Sequence, residues 1–108
     1  PDAAIETRYM MALLAMYREL SRLSDAVVGS DLSQPAAERT VRDAWAAYQA
    51  AVEAALAANA RRLELWRAEP SGYVEKAQSE IAGQWQGVQR TMDEAITALL
   101  GTRRAAAP

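Results

Sequence analysis

Few side chains of this sequence could carry out catalysis. Serines occur at six positions, but the chain has no histidine that could activate a serine hydroxyl. It also has no cysteine, which excludes thiolate catalysis and thiolate metal ligands. Lys76 stands four residues before Glu80, a spacing that favours an exposed ion pair on a helix over a nucleophilic amine. We therefore expect that the protein is not an enzyme and has no catalytic residues.

The carboxylates do not follow a metal-binding pattern either. Asp93 and Glu94 are adjacent, so they would point in different directions on a helix. The Glu-x-x-His pairs of di-iron bundles cannot occur without histidine. Glu38 stands four residues before Arg42, as in a solvated surface ion pair. We expect no bound metal and no cofactor.

The charge balance excludes another class of function. The chain has 14 acidic and 12 basic residues, a net charge of −2, and we see no basic excess of the kind that nucleic-acid-binding modules show. No apolar run reaches the 18 residues of a transmembrane segment. The absence of cysteine suits a reducing compartment, and we expect a cytoplasmic protein that does not bind nucleic acid.

Three segments carry a helical period, and no segment alternates as a strand would. We predict helices over about 2–28, 34–68 and 71–100. Gly29 is a plausible end of the first helix, and Ser33 is a candidate N-cap for the second. Gly101 should end the third helix. This gives one helical domain, residues 1–101, and a flexible tail, residues 102–108.

Each predicted helix has one apolar stripe with a mean spacing close to 3.6 residues. The first stripe is Ile5, Tyr9, Leu13, Met16, Leu20, Leu23 and Val27. The second is Val41, Trp45, Tyr48, Val52, Leu56, Asn59, Leu63 and Trp66, and the third is Val74, Ala77, Ile81, Trp85, Val88, Met92, Ile96 and Leu99. Short connections make neighbouring helices antiparallel. The pattern predicts an all-α, up-down-up bundle of three long helices with coiled-coil-like packing, and an oligomer, because a rod this thin has little core.

The most informative segment is the run from Tyr9 to Tyr17, whose large apolar side chains cover well over half of a helical wheel. A single packing seam needs an apolar stripe of only about 100° or slightly more. Met10, Met11, Leu14 and Tyr17 therefore form a predicted apolar face for a partner, for self-association or for an apolar phase.

Three further residue types have two interpretations each. Trp45, Trp66 and Trp85 all fall on stripes, as core or interface anchors or as a surface for an apolar partner. Asn59 either lines a cavity or is a buried polar residue that sets the helix register. Gly83 and Gly87 indicate either close approach of another helix or a locally soft helix.

One stretch resembles a known family. Gln34-Pro35-Ala36-Ala37-Glu38-Arg39-Thr40-Val41, followed by Tyr48 and then Glu53, resembles a segment of the bacterial phasins over about residues 34–53. The basic, alanine-rich end of the chain, residues 103–107, is similar to the tails of that family. Typical phasins have lysine-rich tails and more phenylalanine, whereas this chain has one lysine and no phenylalanine.

The resemblance implies a helical, self-associating protein that coats polyhydroxyalkanoate granules and has no catalytic residues. We expect this function first, with Met10, Met11 and Leu14 and the alanines of the second helix on the polymer. The alternative is a helical adaptor or accessory subunit that binds another protein by helix–helix packing. An enzyme and a secreted helical effector are weaker alternatives.

Overall fold

The computed structural model describes residues 3–29, 31, 33–66 and 72–105, except for the side chains of Trp66 and residues 103–105. The described residues contain no β-strand, which confirms the all-α prediction. None of the helices in these ranges combines the length and the apolar character that crossing a membrane requires.

The chain forms three long α-helices. They are α1 (Ala3–Gly29), α2 (Pro35–Leu63) and α3 (Tyr73–Ala105), and a 3₁₀ turn, Glu64–Trp66, directly follows α2. High alanine content favours helices of this length, because alanine has the best helix propensity of all residues.

The start of α2 differs by one residue from the prediction. Gln34, and not Ser33, occupies the N-cap position, with an extended backbone (φ −93°, ψ 136°). Ser33 instead donates hydrogen bonds from its backbone N and its Oγ to Oδ1 of Asp31, at 3.1 and 2.7 Å. Pro35 is the first helical residue and has no N–H to satisfy, so the helix starts without a side-chain cap.

α2 ends at Leu63, earlier than the predicted residue 68. The backbone N–H of Glu64 donates to the carbonyl oxygens of Ala60 and Arg62, a pattern that tightens the last turn into the 3₁₀ geometry of residues 64–66. Residues 67 and 68 lie outside the described part of the chain.

Two glycines near the ends of α3 behave differently. Gly72 takes a left-handed backbone (φ +67°) immediately before the helix, and its carbonyl accepts a hydrogen bond from the Lys76 N–H at 3.1 Å. Gly101 stays helical, and α3 continues to Ala105. The predicted end at Gly101 is therefore wrong, and the first part of the predicted flexible tail, residues 102–105, is helical. Arginine and alanine after Gly101 are good helix formers, which explains the continuation.

The main cluster of buried residues joins all three helices. It consists of Leu23, Ala26, Val41, Ala44, Trp45, Ile96 and Leu100. These residues come from the C-terminal part of α1, the N-terminal part of α2 and the C-terminal part of α3. Val41 and Leu100 are the largest side chains that are fully buried. Ala26 and Ala44 have small side chains, which allow the backbones of α1 and α2 to approach closely.

α3 packs less closely against α2 than α1 does. α1 packs against α2 along its length, whereas α3 approaches the α2 backbone at far fewer positions. The Cα atoms span 62 × 25 × 14 Å, with a radius of gyration of 17.6 Å. The protein is therefore long and flat, and a large part of each helix stays in contact with solvent.

Candidate functional site

The outer surface of α1 carries the largest group of exposed apolar side chains. Met10 is 53% exposed, Met11 61%, Leu14 57% and Tyr17 61%. We call these four residues the α1 apolar face. They are the residues that the sequence selects as surplus to one packing seam, and in the isolated chain they are accessible to a partner. Whether a partner covers them stays a prediction.

The α1 apolar face is open because α1 uses another side to pack. Leu23 and Ala26 are buried in the main cluster, and Val27 packs against it. On a helix with 3.6 residues per turn, these side chains point well away from Met10 and Leu14. Leu20, a member of the predicted stripe, is exposed rather than buried. The packed side of α1 is therefore narrower than predicted, and the open side is wider.

The predicted tryptophan anchors lie in different environments. Trp45 is buried in the main cluster, and Trp85 packs against its edge. Tyr48 lies between them, with its ring centroid 6.0 Å from each indole, tilted on Trp45 and edge-on to Trp85. Such tilted and edge-on arrangements are the favoured geometries of aromatic pairs. The Trp66 side chain lies outside the described residues.

Two polar groups in this aromatic cluster are partly or fully buried. Burial raises the pKa of Tyr48 above its ordinary value, and the nearby Tyr17 phenol adds to the effect. The indole Nε1 of Trp85 is buried and has no hydrogen-bond acceptor among the described residues. The aromatic cluster therefore contributes packing between α2 and α3.

Asn59 does not match the predicted buried polar residue. It is half-buried, and its Oδ1 accepts a hydrogen bond from the Arg62 guanidinium in the same helix at 2.9 Å. Arg62 also stacks on the Tyr9 ring, 4.6 Å from its centroid, and lies 3.9 Å from the Glu6 carboxylate. Arg62 is not among the residues that the sequence pattern selects. Its position one turn from Asn59, on the side of α2 that faces α1, was the available signal.

A groove separates α2 from α3 beside Asn59. Asn59 is part of a groove of about 270 Å³ between α2 and α3, together with Leu56, Ala57, Ala60, Gln78, Ile81 and Ala82. Gln78 bridges the groove, because its Nε2 donates to the Ala60 carbonyl at 3.4 Å. A second amide bridge joins Gln89 Nε2 to Gln49 Oε1 at 3.0 Å. Long polar side chains therefore span α2 and α3 where the backbones stay apart.

The two mid-helix glycines do not mark a close helix approach. A Cβ atom placed on Gly83 or Gly87 would meet nothing within 4 Å. Val88, a member of the predicted third stripe, is 45% exposed, while Leu100, outside that stripe, is fully buried. Toward the C-terminal end of α3, the buried side of the helix is therefore rotated relative to the predicted stripe.

Residues that could carry chemistry are dispersed over the surface. Lys76, Ser21, Ser24 and Ser79 are all exposed. No group of three or more acidic side chains suited to a metal ion occurs among the residues that the structure describes. The predicted pair of Arg42 with Glu38 is formed, with Nε 3.3 Å from Oε1. In the described part of the chain, the candidate site is therefore taken to be the exposed α1 apolar face.

Fold and surface together define a class: an all-α protein of three long helices with an exposed apolar helix face. The chain matches no protein-family model, no curated protein and no solved structure.

Proposed function

We propose that the protein is a non-catalytic, amphipathic helical protein that coats an apolar surface through the α1 apolar face. The surface we propose is a polyhydroxyalkanoate granule in a bacterial cytoplasm, as the resemblance of residues 34–53 to phasins implies. The observation that carries the proposal is the joint exposure of Met10, Met11, Leu14 and Tyr17 on one helix.

Adsorption needs no shaped pocket. Apolar area removed from water contributes roughly 25 cal/mol per Å², so a few partly exposed large side chains give useful affinity for a featureless polymer. Methionine fits this role because its flexible side chain adapts to an irregular surface. Charge is exposed on another helix, α3, where Arg90, Asp93 and Glu94 are all exposed. In this proposal these charges face the cytoplasm and keep neighbouring granules apart.

The test is sedimentation with polyhydroxybutyrate particles and with hydrophilic beads of the same size. The protein should be recovered with the polyester and stay in solution with the beads. Replacing Met10 and Leu14 with serine should weaken retention about tenfold, if each side chain contributes roughly 0.7 kcal/mol. Val88→Ser is the matched control, because Val88 is exposed on α3 and lies outside the α1 apolar face. Equal recovery of the native protein on both supports contradicts the proposal.

The second candidate is a helical adaptor that binds another protein by helix packing. The groove between α2 and α3 favours it, because its apolar lining with two amides could receive side chains of a partner helix. This candidate predicts a partner of fixed stoichiometry and no affinity for polymer. Substituting Ala82, which lines the groove and is exposed, with glutamate should then abolish binding, whereas the serine substitutions on α1 should not.

The finer features of the fold belong to the same proposal. We take the helices as an up-down-up antiparallel bundle. The supporting observation is that the C-terminal parts of α1 and α3 share a cluster with the N-terminal part of α2. The protein then presents its long side, about 60 Å in extent, to the surface that it coats.

A further inference from the structure

α1 carries a second coiled-coil series that its packing on α2 does not use. Met10, Leu14, Tyr17, Ser21, Ser24 and Val28 follow one another at alternating steps of four and three residues, as a and d positions do. All six are exposed and none is charged. We call this series the open seam. It contains three members of the α1 apolar face and continues to the last turn of the helix.

The exposed area of the chain is large enough for a stable interface. The isolated chain exposes 7377 Å², whereas a folded monomer of this mass exposes about 5,900 Å². The difference, roughly 1,500 Å², exceeds the ~800 Å² that each partner contributes to a protein–protein interface of standard size. The chain could therefore bury an interface of standard size and still expose as much surface as a compact monomer of its mass.

We infer that the open seam pairs with the open seam of a second copy, with the two α1 helices antiparallel. The pairing places Leu14 opposite Tyr17 of the partner subunit and Met10 opposite Ser21 of the partner subunit. In this register the midpoints of the two α1 helices nearly coincide, so the helices overlap along their whole length of about 40 Å. A two-fold pair also closes on itself, because each seam meets an identical seam.

The flanking positions fit this register. Leu13 lies beside Leu20 of the partner subunit, which covers a leucine that the isolated chain leaves exposed. On the other flank, Met11 lies beside Arg18 of the partner subunit, whose aliphatic stem can cover the methionine while its charge stays in water. The pairing thus covers all four residues of the α1 apolar face and brings no like charges together at these flanks.

The inference goes beyond the proposed function, and it stands if adsorption fails. If both the pairing and the adsorption occur, they use the same residues, so one α1 helix cannot do both at the same time. The dimer is then the form in solution, and it must separate for α1 to reach the polymer.

The first experiment measures the mass of the full chain by light scattering at several concentrations. The native protein should have twice the protomer mass of 11.8 kDa. Leu14→Glu should reduce it to the protomer mass, because it places a carboxylate in the centre of the seam, while Val88→Glu should leave the dimer intact. A native monomer at every concentration overturns the inference, and so does a dimer that survives Leu14→Glu.

The second experiment tests the direction of the helices, and the absence of native cysteine makes it specific. A mixture of the Leu14→Cys and Tyr17→Cys proteins should form disulfide-linked dimers several-fold faster than either protein alone. Faster linking by Leu14→Cys alone would indicate parallel helices and overturn the register.

The third experiment separates pairing from adsorption. The linked dimer for this test joins Ser24→Cys of one copy to Thr7→Cys of the other, because these two positions face each other in this register and lie outside the α1 apolar face. It should not be retained on polyhydroxybutyrate particles, and the same protein after reduction should be. If the native dimer forms but neither sample is retained, the proposed function fails and the pairing stands. If the linked dimer is retained as well as the reduced protein, the shared use of the seam is wrong.

Discussion

Arg62 shows how one side chain joins two helices in a protein with a thin core. Its guanidinium contacts the Tyr9 ring and the Asn59 amide and lies near the Glu6 carboxylate. The ion pair is long and partly exposed, so it should add little. The cation–π contact and the amide hydrogen bond are worth more, because Arg62 itself is mostly shielded from solvent.

We predict that Arg62→Ala lowers the free energy of unfolding by about 1–2 kcal/mol. Arg62→Lys should recover only part of this loss, because an ammonium group cannot stack flat on Tyr9 and bond Asn59 at the same time. Urea unfolding followed by circular dichroism measures both. An unchanged midpoint for Arg62→Ala would mean that these contacts do not stabilise the fold.

Tyr48 gives the fold a dependence on alkaline pH. Its pKa is raised in the folded protein by burial and by the neighbouring Tyr17, so the unfolded chain loses the proton first as the pH rises. The stabilisation from the neutral phenol is fully present below the unfolded pKa of about 10 and is lost as the pH rises through the folded value.

We therefore expect the stability of the native protein to fall above about pH 10 more steeply than that of Tyr48→Phe. Urea midpoints at a series of pH values from 8 to 11 would reveal the difference. Ultraviolet titration of the phenols provides a second readout, because Tyr48→Phe should remove a component that titrates late. Parallel pH profiles for the two proteins would contradict the burial effect.

Within α3, two glycines lower the stability of the helix. Gly83 and Gly87 each cost about 1 kcal/mol relative to alanine in a helix interior. The space around both is open. We predict that Gly83→Ala and Gly87→Ala each raise the free energy of unfolding by roughly 0.5–1 kcal/mol.

Gly72→Ala is the matched control for these substitutions. The space around Gly72 is equally open, but its backbone is left-handed, so alanine there should destabilise the protein by about 1 kcal/mol. Thermal unfolding would distinguish the two signs. If Gly87→Ala destabilises, another molecule approaches α3 closely at that point.

The sequence alone predicts the helices well and their exact packing less well. Val41, Trp45 and Ile96 lie on the predicted stripes and are buried, because helical periodicity alone selects them. Val88 lies on a predicted stripe but is exposed, whereas Leu100 lies off the stripe but is buried. Periodicity does not specify which neighbour a long helix meets at each end. The end of α3 was also missed, because a glycine does not by itself end a helix, and Gly101 keeps a helical backbone.

The candidate surface was more predictable than the contacts around it. Surplus apolar groups on α1 can be counted on a helical wheel, and the structure leaves all four exposed. Arg62 could not be found this way, because its contacts depend on how α1 and α2 align. Asn59 was placed on the right stripe, but the distance between α2 and α3 decides whether such a residue is buried.

Pairing with a second copy would make the apparent stability of the protein depend on the protein concentration. Binding that is specific to the folded state raises the apparent stability by mass action. We predict that the melting temperature of the native protein rises by a few degrees with each large increase in concentration, and that of Leu14→Glu does not. Differential scanning calorimetry over a hundredfold range would measure this, and a constant melting temperature for the native protein would argue against association.

The main buried cluster lies toward one end of the molecule, and this fixes the order in which the chain can open. Away from this cluster a groove separates α2 from α3, so thermal fluctuations should part these two helices there first. A partly opened chain would remain tethered at the cluster while the inner sides of its helices became accessible. If the proposed adsorption holds, such a chain would offer the polymer a wider apolar area than α1 alone, and its helices would stay joined at the cluster.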